Sequence, residues 1–182
     1  MTKQLSKENM RKKLILSLAI LFSTNQAFAA NVVSGTSNVK IVTPISISAV
    51  LSLEFGSVAV GTGTPASSGT VAIAAATGVA TAGGTNVPTL ITTGTATRAA
   101  GTFNVTGENN ATYSITLPAS AVNLTSGANT ISIGTFTSSP TPTGTLSAAG
   151  AQTLSVGATL TVASAQAAGA YTGTYSVTVN YN

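Results

Sequence analysis

Few side chains in this sequence can do chemistry. Its 182 residues include no His, Cys or Trp, and its three acids are all Glu. Without imidazole or thiolate, the usual ligand sets for zinc, copper, haem and iron–sulfur clusters cannot be assembled. Glu54 and Glu108, isolated from each other in sequence, are too few for a calcium cage or a furnished di-carboxylate pair. Ser and Thr abound, but a hydroxyl becomes a nucleophile only beside a base, and beyond residue 29 Lys40 is the sole lysine. Neither catalysis nor a cofactor is expected. The reactive groups left are those of the backbone. A β-rich chain presents rows of N–H and C=O groups, and a row without a neighbour binds another strand.

The start of the chain bears on where that backbone is used. A basic stretch (Lys3, Lys7, Arg11, Lys12, Lys13), an apolar run over 14–22 and Ala27-Phe28-Ala29 form the pattern of a secretory signal peptide over residues 1–29. The run is shorter than the roughly 20 apolar residues needed to cross a bilayer, and no later stretch reaches that length. Export is therefore expected, with passage through the periplasm to the cell surface or the medium. Removing the leader takes five of the seven basic residues and Glu8, leaving Lys40 and Arg98 against Glu54 and Glu108, a net charge of zero. The sequence pI of about 9.7 thus belongs to the leader, and no nucleic-acid partner is expected.

Beyond the leader the chain reads as all-β. Gly and Thr interrupt every window long enough for a helix, while β-branched residues and Tyr are plentiful. Residues 45–55 place Ile45, Ile47, Ala49, Leu51, Leu53 and Phe55 on one face. The terminal GAYTGTYSVTVNYN (169–182) alternates throughout, with Tyr171, Tyr175, Val177, Val179 and Tyr181 on one side and Thr, Ser and Asn on the other. Shorter strands are expected at 71–75, 102–106, 111–117, 130–137 and 154–162, with Gly107-Glu108-Asn109-Asn110 as a hairpin turn and Gly157 as a possible bulge site. The Gly/Ala/Thr-rich stretch 61–87 reads as a loop or weak edge strands. Frequent turns and short strands predict an immunoglobulin-like Greek-key β-sandwich over 44–182, one that could lack its final strand.

If the fold stops one strand short, an open ladder and an apolar cleft remain for another chain to fill. The five residues on the apolar side of the terminal strand would line that acceptor groove. Residues 30–43 form an N-terminal extension suited to be the donor, with Val33, Gly35, Val39 and Ile41 facing inward.

Two resemblances follow from these segments. The penultimate Tyr181, with Gly169 fourteenth from the end and alternation between them, resembles the C-terminal signature of chaperone–usher pilins. That resemblance implies a strand held first by a periplasmic chaperone, then passed at an outer-membrane usher and completed by the next subunit's N-terminal extension. The chain departs from many such pilins in having no cysteine for a disulfide. The body, through LSLEFGSV (51–58), GTFNVTGENNATYSITLP (101–118), SVGATLTV (155–162) and the terminal segment, resembles the bacterial family called domain of unknown function 4402.

The expected function is a structural subunit of a bacterial surface filament, assembled with like subunits by strand exchange, with a role in adhesion or biofilm. The alternative is a monomeric secreted or surface-attached binding module whose own N-terminal segment seals its sheet.

Overall fold

A computed structural model describes residues 32–60, 68–93 and 97–182 of the chain. The signal peptide expected over 1–29 lies outside the described residues. The chain divides into two units, Met1–Lys40 and Ile41–Asn182. In the first, residues 32–40 form no strand, and Val33 and Val39 are 84% and 90% exposed.

The second unit is all-β among its described residues, and every strand pairing in it is antiparallel. Its largest sheet joins β1 (Ser46–Leu51), β3 (Ser68–Ile73), β4 (Ala80–Gly84), β6 (Gly101–Thr106), β8 (Val122–Ser126), β9 (Asn129–Ser139) and β11 (Ala151–Ala163). A second sheet runs β10 (Thr143–Thr145), β7 (Thr112–Thr116), β12 (Thr178–Tyr181). The ribbon of β2 (Ser57–Ala59) and β5 (Thr89–Ile91) stands apart from both.

The strand β11 is the spine. Its even-numbered residues Leu154, Val156, Ala158, Leu160 and Val162 are all buried, while Thr153 and Thr161 are exposed and Gly157 alone among the odd positions is buried. A strand apolar on one face and hydroxylated on the other is wetted on one side only. Along one edge β11 pairs with β6 and then β3, and along the other with β9. The β9 register shifts between Gly157 and Thr159, which places an irregularity at the expected glycine. Gly157 is required there, because a Cβ would strike the carbonyl of Ile73 and the amide of Ala75.

The two main sheets face each other across the core. Val105, Leu154 and Val156 of the large sheet pack with Tyr113 and Val179 of the small one and with Leu146. A second cluster, of Phe55, Val71, Ile73, Ile131, Leu160 and Val162, continues the core toward β3 and β9. The result is a β-sandwich.

Three expectations need correction. The turn at Gly107-Glu108-Asn109-Asn110 is not a hairpin: β6 pairs with β1 and β11, whereas β7 pairs with β10 and β12. Val105 and Tyr113 meet face to face in one cluster, so the chain crosses over the core at this corner instead of returning alongside itself, with Asn110 at φ 57°. Within 61–87, β4 is an edge strand of the large sheet as expected, but β3, starting at Ser68, lies inside the sheet between β11 and β4, with Val71 fully buried; residues 61–67 lie outside the described residues. Its small side chains lower the apparent hydrophobicity of a strand that is in fact central. Finally, the terminal alternation yields a ladder only over Thr178–Tyr181. The partner β7 ends at Thr116, and Pro118, two residues on, has no N–H to donate, so the chain before Thr178 loses its neighbour on that side.

Burial pushes the phenols of Tyr113 and Tyr175 above the ordinary tyrosine value. The Tyr113 hydroxyl donates to Oε1 of Gln152 at 2.8 Å.

Two outcomes are expected of the fold. Gly157→Ala should lower stability by about 1–3 kcal/mol, read as a shift of the urea midpoint at unchanged slope. In alkali, the unfolded chain releases tyrosine protons that the fold retains. Stability should therefore hold below the ordinary tyrosine pKa of about 10 and fall as pH rises toward the raised values. Tyr175→Phe should flatten that fall in urea titrations at successive pH.

Candidate strand-acceptor groove

In the small sheet, β12 pairs on one side with β7, with Thr178 opposite Thr116 and Tyr181 opposite Tyr113. Its other edge carries no strand among the described residues. The outer edge of β1 in the large sheet is likewise unpaired. These two open edges lie close together, one from each layer. Ahead of β12, residues 173–177 belong to no ladder, and a single bridge between Thr172 and Thr125 holds the chain that leads into them.

At one end the gap between the edges is closed. Ile45 and Ile47 pack on the same cluster as Val177 and Tyr181. The Tyr181 hydroxyl donates to the carbonyl of Thr43 at 2.7 Å and accepts from the amide of Glu108 at 2.6 Å. The Thr43 amide donates to Oε2 of Glu108 at 3.1 Å.

At the other end the gap opens into a cleft of about 940 Å³. One wall is the chain after β1, with Leu53, Phe55, Val58 and Val60; the other is residues 166–172; Leu124, Ile131, Leu160 and Val162 make the apolar floor. Glu54 is the one charged residue among the described lining. A cleft reaching core side chains, with little charge at its walls, favours an apolar segment.

The loop over the cleft is fastened through side chains. Nε2 of Gln166 donates to the carbonyl of Thr130 at 3.0 Å and to the Tyr171 hydroxyl at 2.8 Å, and that hydroxyl donates to the carbonyl of Ala167 at 2.7 Å. Beside it, Ala165 sits at φ 60°, and the buried Oγ of Ser164 has no partner among the described residues. A left-handed alanine and an unpaired buried hydroxyl both raise the loop's energy.

The expected groove residues fall along this line. Val179 is buried between the sheets, and Val177 and Tyr181 pack beside it. Tyr171 packs on the Phe55 cluster, and Tyr175 touches both clusters. The Tyr175 ring meets Phe103 edge-on at 6.2 Å and Phe136 at 5.3 Å, tilted by 34°. Its hydroxyl occupies the space a side chain would take at Gly101. The four inward positions of the expected donor are all exposed. Val33 and Val39 are exposed, Gly35 has open space about its Cα, and Ile41 is 91% exposed.

Sequence reasoning missed the floor and the far wall. Leu124 and Ile131 come from the β8–β9 hairpin and Leu160 and Val162 from the distant β11, and no local period marks them as joint lining. Continuing the alternation past Phe55 leads to Ser57 and Ala59, so Val58 and Val60, on the opposite parity, carry no such signal. Nothing in the sequence marks the Gln166 fastening.

None of the curated proteins and none of the solved structures matches the chain. The family described as "Domain of unknown function (DUF4402)" matches residues 45–181, well over half the chain and all of both main sheets. The chain therefore belongs to the DUF4402 family.

Proposed function

We propose that this protein is a structural subunit of an exported bacterial filament, in which residues 33–41 of one copy fill the groove beside β12 of the next. The reading rests on one coincidence: among the described residues the β12 edge is unpaired and the chain leading to it, at 166–172, walls an apolar cleft, while the 33–41 segment is alternating and exposed.

The two defects are complementary. An added strand would pair with the open backbone of β12 and residues 173–177 while its apolar side chains covered the cleft floor. Burying Val33, Val39 and Ile41 at about 1.5–3 kcal/mol each would gain roughly 5–9 kcal/mol before ordering costs. With a ladder of hydrogen bonds added, the joint approaches the 5–15 kcal/mol stability of a whole domain, which is what a filament under load requires.

Finer features belong to the same proposal. The order β1–β6–β11 facing β10–β7–β12 fits an immunoglobulin-like Greek key lacking the strand that would follow β12. The leader pattern of residues 1–29 supports export. An edge this open needs cover in transit, and a periplasmic chaperone with an outer-membrane usher would supply it. The near-absence of charge suits association of copies more than lasting solubility.

The test is the polymer itself. Surface protein from cells expressing the full chain should run as a ladder on gels without boiling. Val39→Asp with Ile41→Asp, and separately deletion of residues 30–43, should leave export intact and abolish the ladder. A ladder persisting in both would exclude the donor assignment, and a single band from the unaltered chain would favour the self-sealed binding module.

A further inference from the structure

The donor segment has a competitor for its groove: the groove of its own domain. A tethered segment reaches a site on the same chain at an effective concentration in the millimolar range. Neighbouring copies at micromolar concentration would lose that competition by about a thousandfold. A chain that polymerises therefore needs something that stops it from sealing itself.

Directions of the elements frame the problem. The start of β1 lies near Tyr181 through the Thr43 bond, and the chain after β1 faces residues 166–172 across the cleft. The strand β1 thus runs away from the closed end and the terminal segment runs toward it. A segment folding back from Thr43 into its own groove would lie antiparallel to β1 and parallel to β12, the weaker pairing with the strand it must complete. A neighbour's segment is free to run antiparallel to β12.

The reversal itself is obstructed. It would have to be made across Val42, Thr43, Pro44 and Ile45. Proline is disfavoured at the third position of a common turn and denies its predecessor the helical conformation such a turn requires. Moreover, both backbone groups of Thr43 are already taken, the amide by the Glu108 carboxylate and the carbonyl by the Tyr181 hydroxyl. The same hydroxyl accepts the Glu108 amide, so three bonds lock Thr43, the β6–β7 corner and the end of β12 together.

We propose that Tyr181 and Glu108 form a clamp on Thr43 that keeps the donor segment out of its own groove and so commits it to a neighbour. This rests on the strand-exchange reading above. Both are positioning residues, acting through the backbone of Thr43.

Tyr181→Phe keeps the ring in its packing and removes the bond to Thr43, while Glu108→Ala removes the carboxylate without touching the groove. Full chains carrying each would be compared with the unaltered chain by unboiled gel and by hydrogen exchange of the monomer fraction at residues 173–177. In both variants the ladder should fall by up to about tenfold, the scale of a single hydrogen bond. The monomer that accumulates should be sealed, its amides at Thr174, Tyr175 and Ser176 protected where the unaltered monomer exchanges freely. Unchanged ladders in both variants would overturn the clamp, as would a lost ladder with those amides still open, which would mean mere damage to the groove. An unaltered chain that forms no ladder would instead overturn strand exchange, and the clamp's role with it.

Discussion

The structure turns on one unmet requirement: a β-strand edge above an apolar floor needs a neighbour. Backbone N–H and C=O groups buried without partners cost more than most side-chain contacts return. Here two sheets meet over a core, and among the described residues neither β1 nor β12 has a strand beside its outer edge. Where the gap is narrow, Ile45, Ile47, Val177 and Tyr181 close it with side chains. Where it widens, Leu160 and Val162 floor a cleft walled on one side by Leu53 and Phe55 and on the other by the Gln166 loop. That loop holds a left-handed alanine and an unpaired serine, so the wall is itself under strain.

This requirement connects the two halves of the chain. A strand that ends a sheet usually carries charge or a bulge that discourages pairing, and β12 carries no charge. The segment 33–41 has the alternation of a strand, yet its residues form none in the structure. Thr43 links them, because the hydroxyl of Tyr181, the residue that ends β12, bonds the Thr43 carbonyl just after that segment.

Much of this was legible in the sequence, for identifiable reasons. Period-two patterning fixes which side of β11 is buried, and its even-numbered residues from Leu154 to Val162 follow it without exception. The family match spans the same strands, from residue 45 to residue 181. What local pattern does not carry is which strands become neighbours. The Gly107–Asn110 corner has hairpin chemistry, yet joins different sheets, because turn residues specify a reversal and not its partner. The terminal alternation promises a strand of full length, but a strand exists only where another pairs with it, and β7 stops at Thr116. The cleft floor was invisible for the same reason: Leu124, Ile131 and Leu160 meet only after folding.

The central claim is that the strand completing β12 comes from another molecule. Filaments grown from equal parts of chain labelled only with nitrogen-15 and chain labelled only with carbon-13 test it by solid-state nuclear magnetic resonance. Magnetisation should pass from amides of residues 33–41 to carbons of residues 173–181 across the two labels, which requires two different chains. If such transfer is seen only when both labels sit on one chain, each copy completes its own sheet and the account fails.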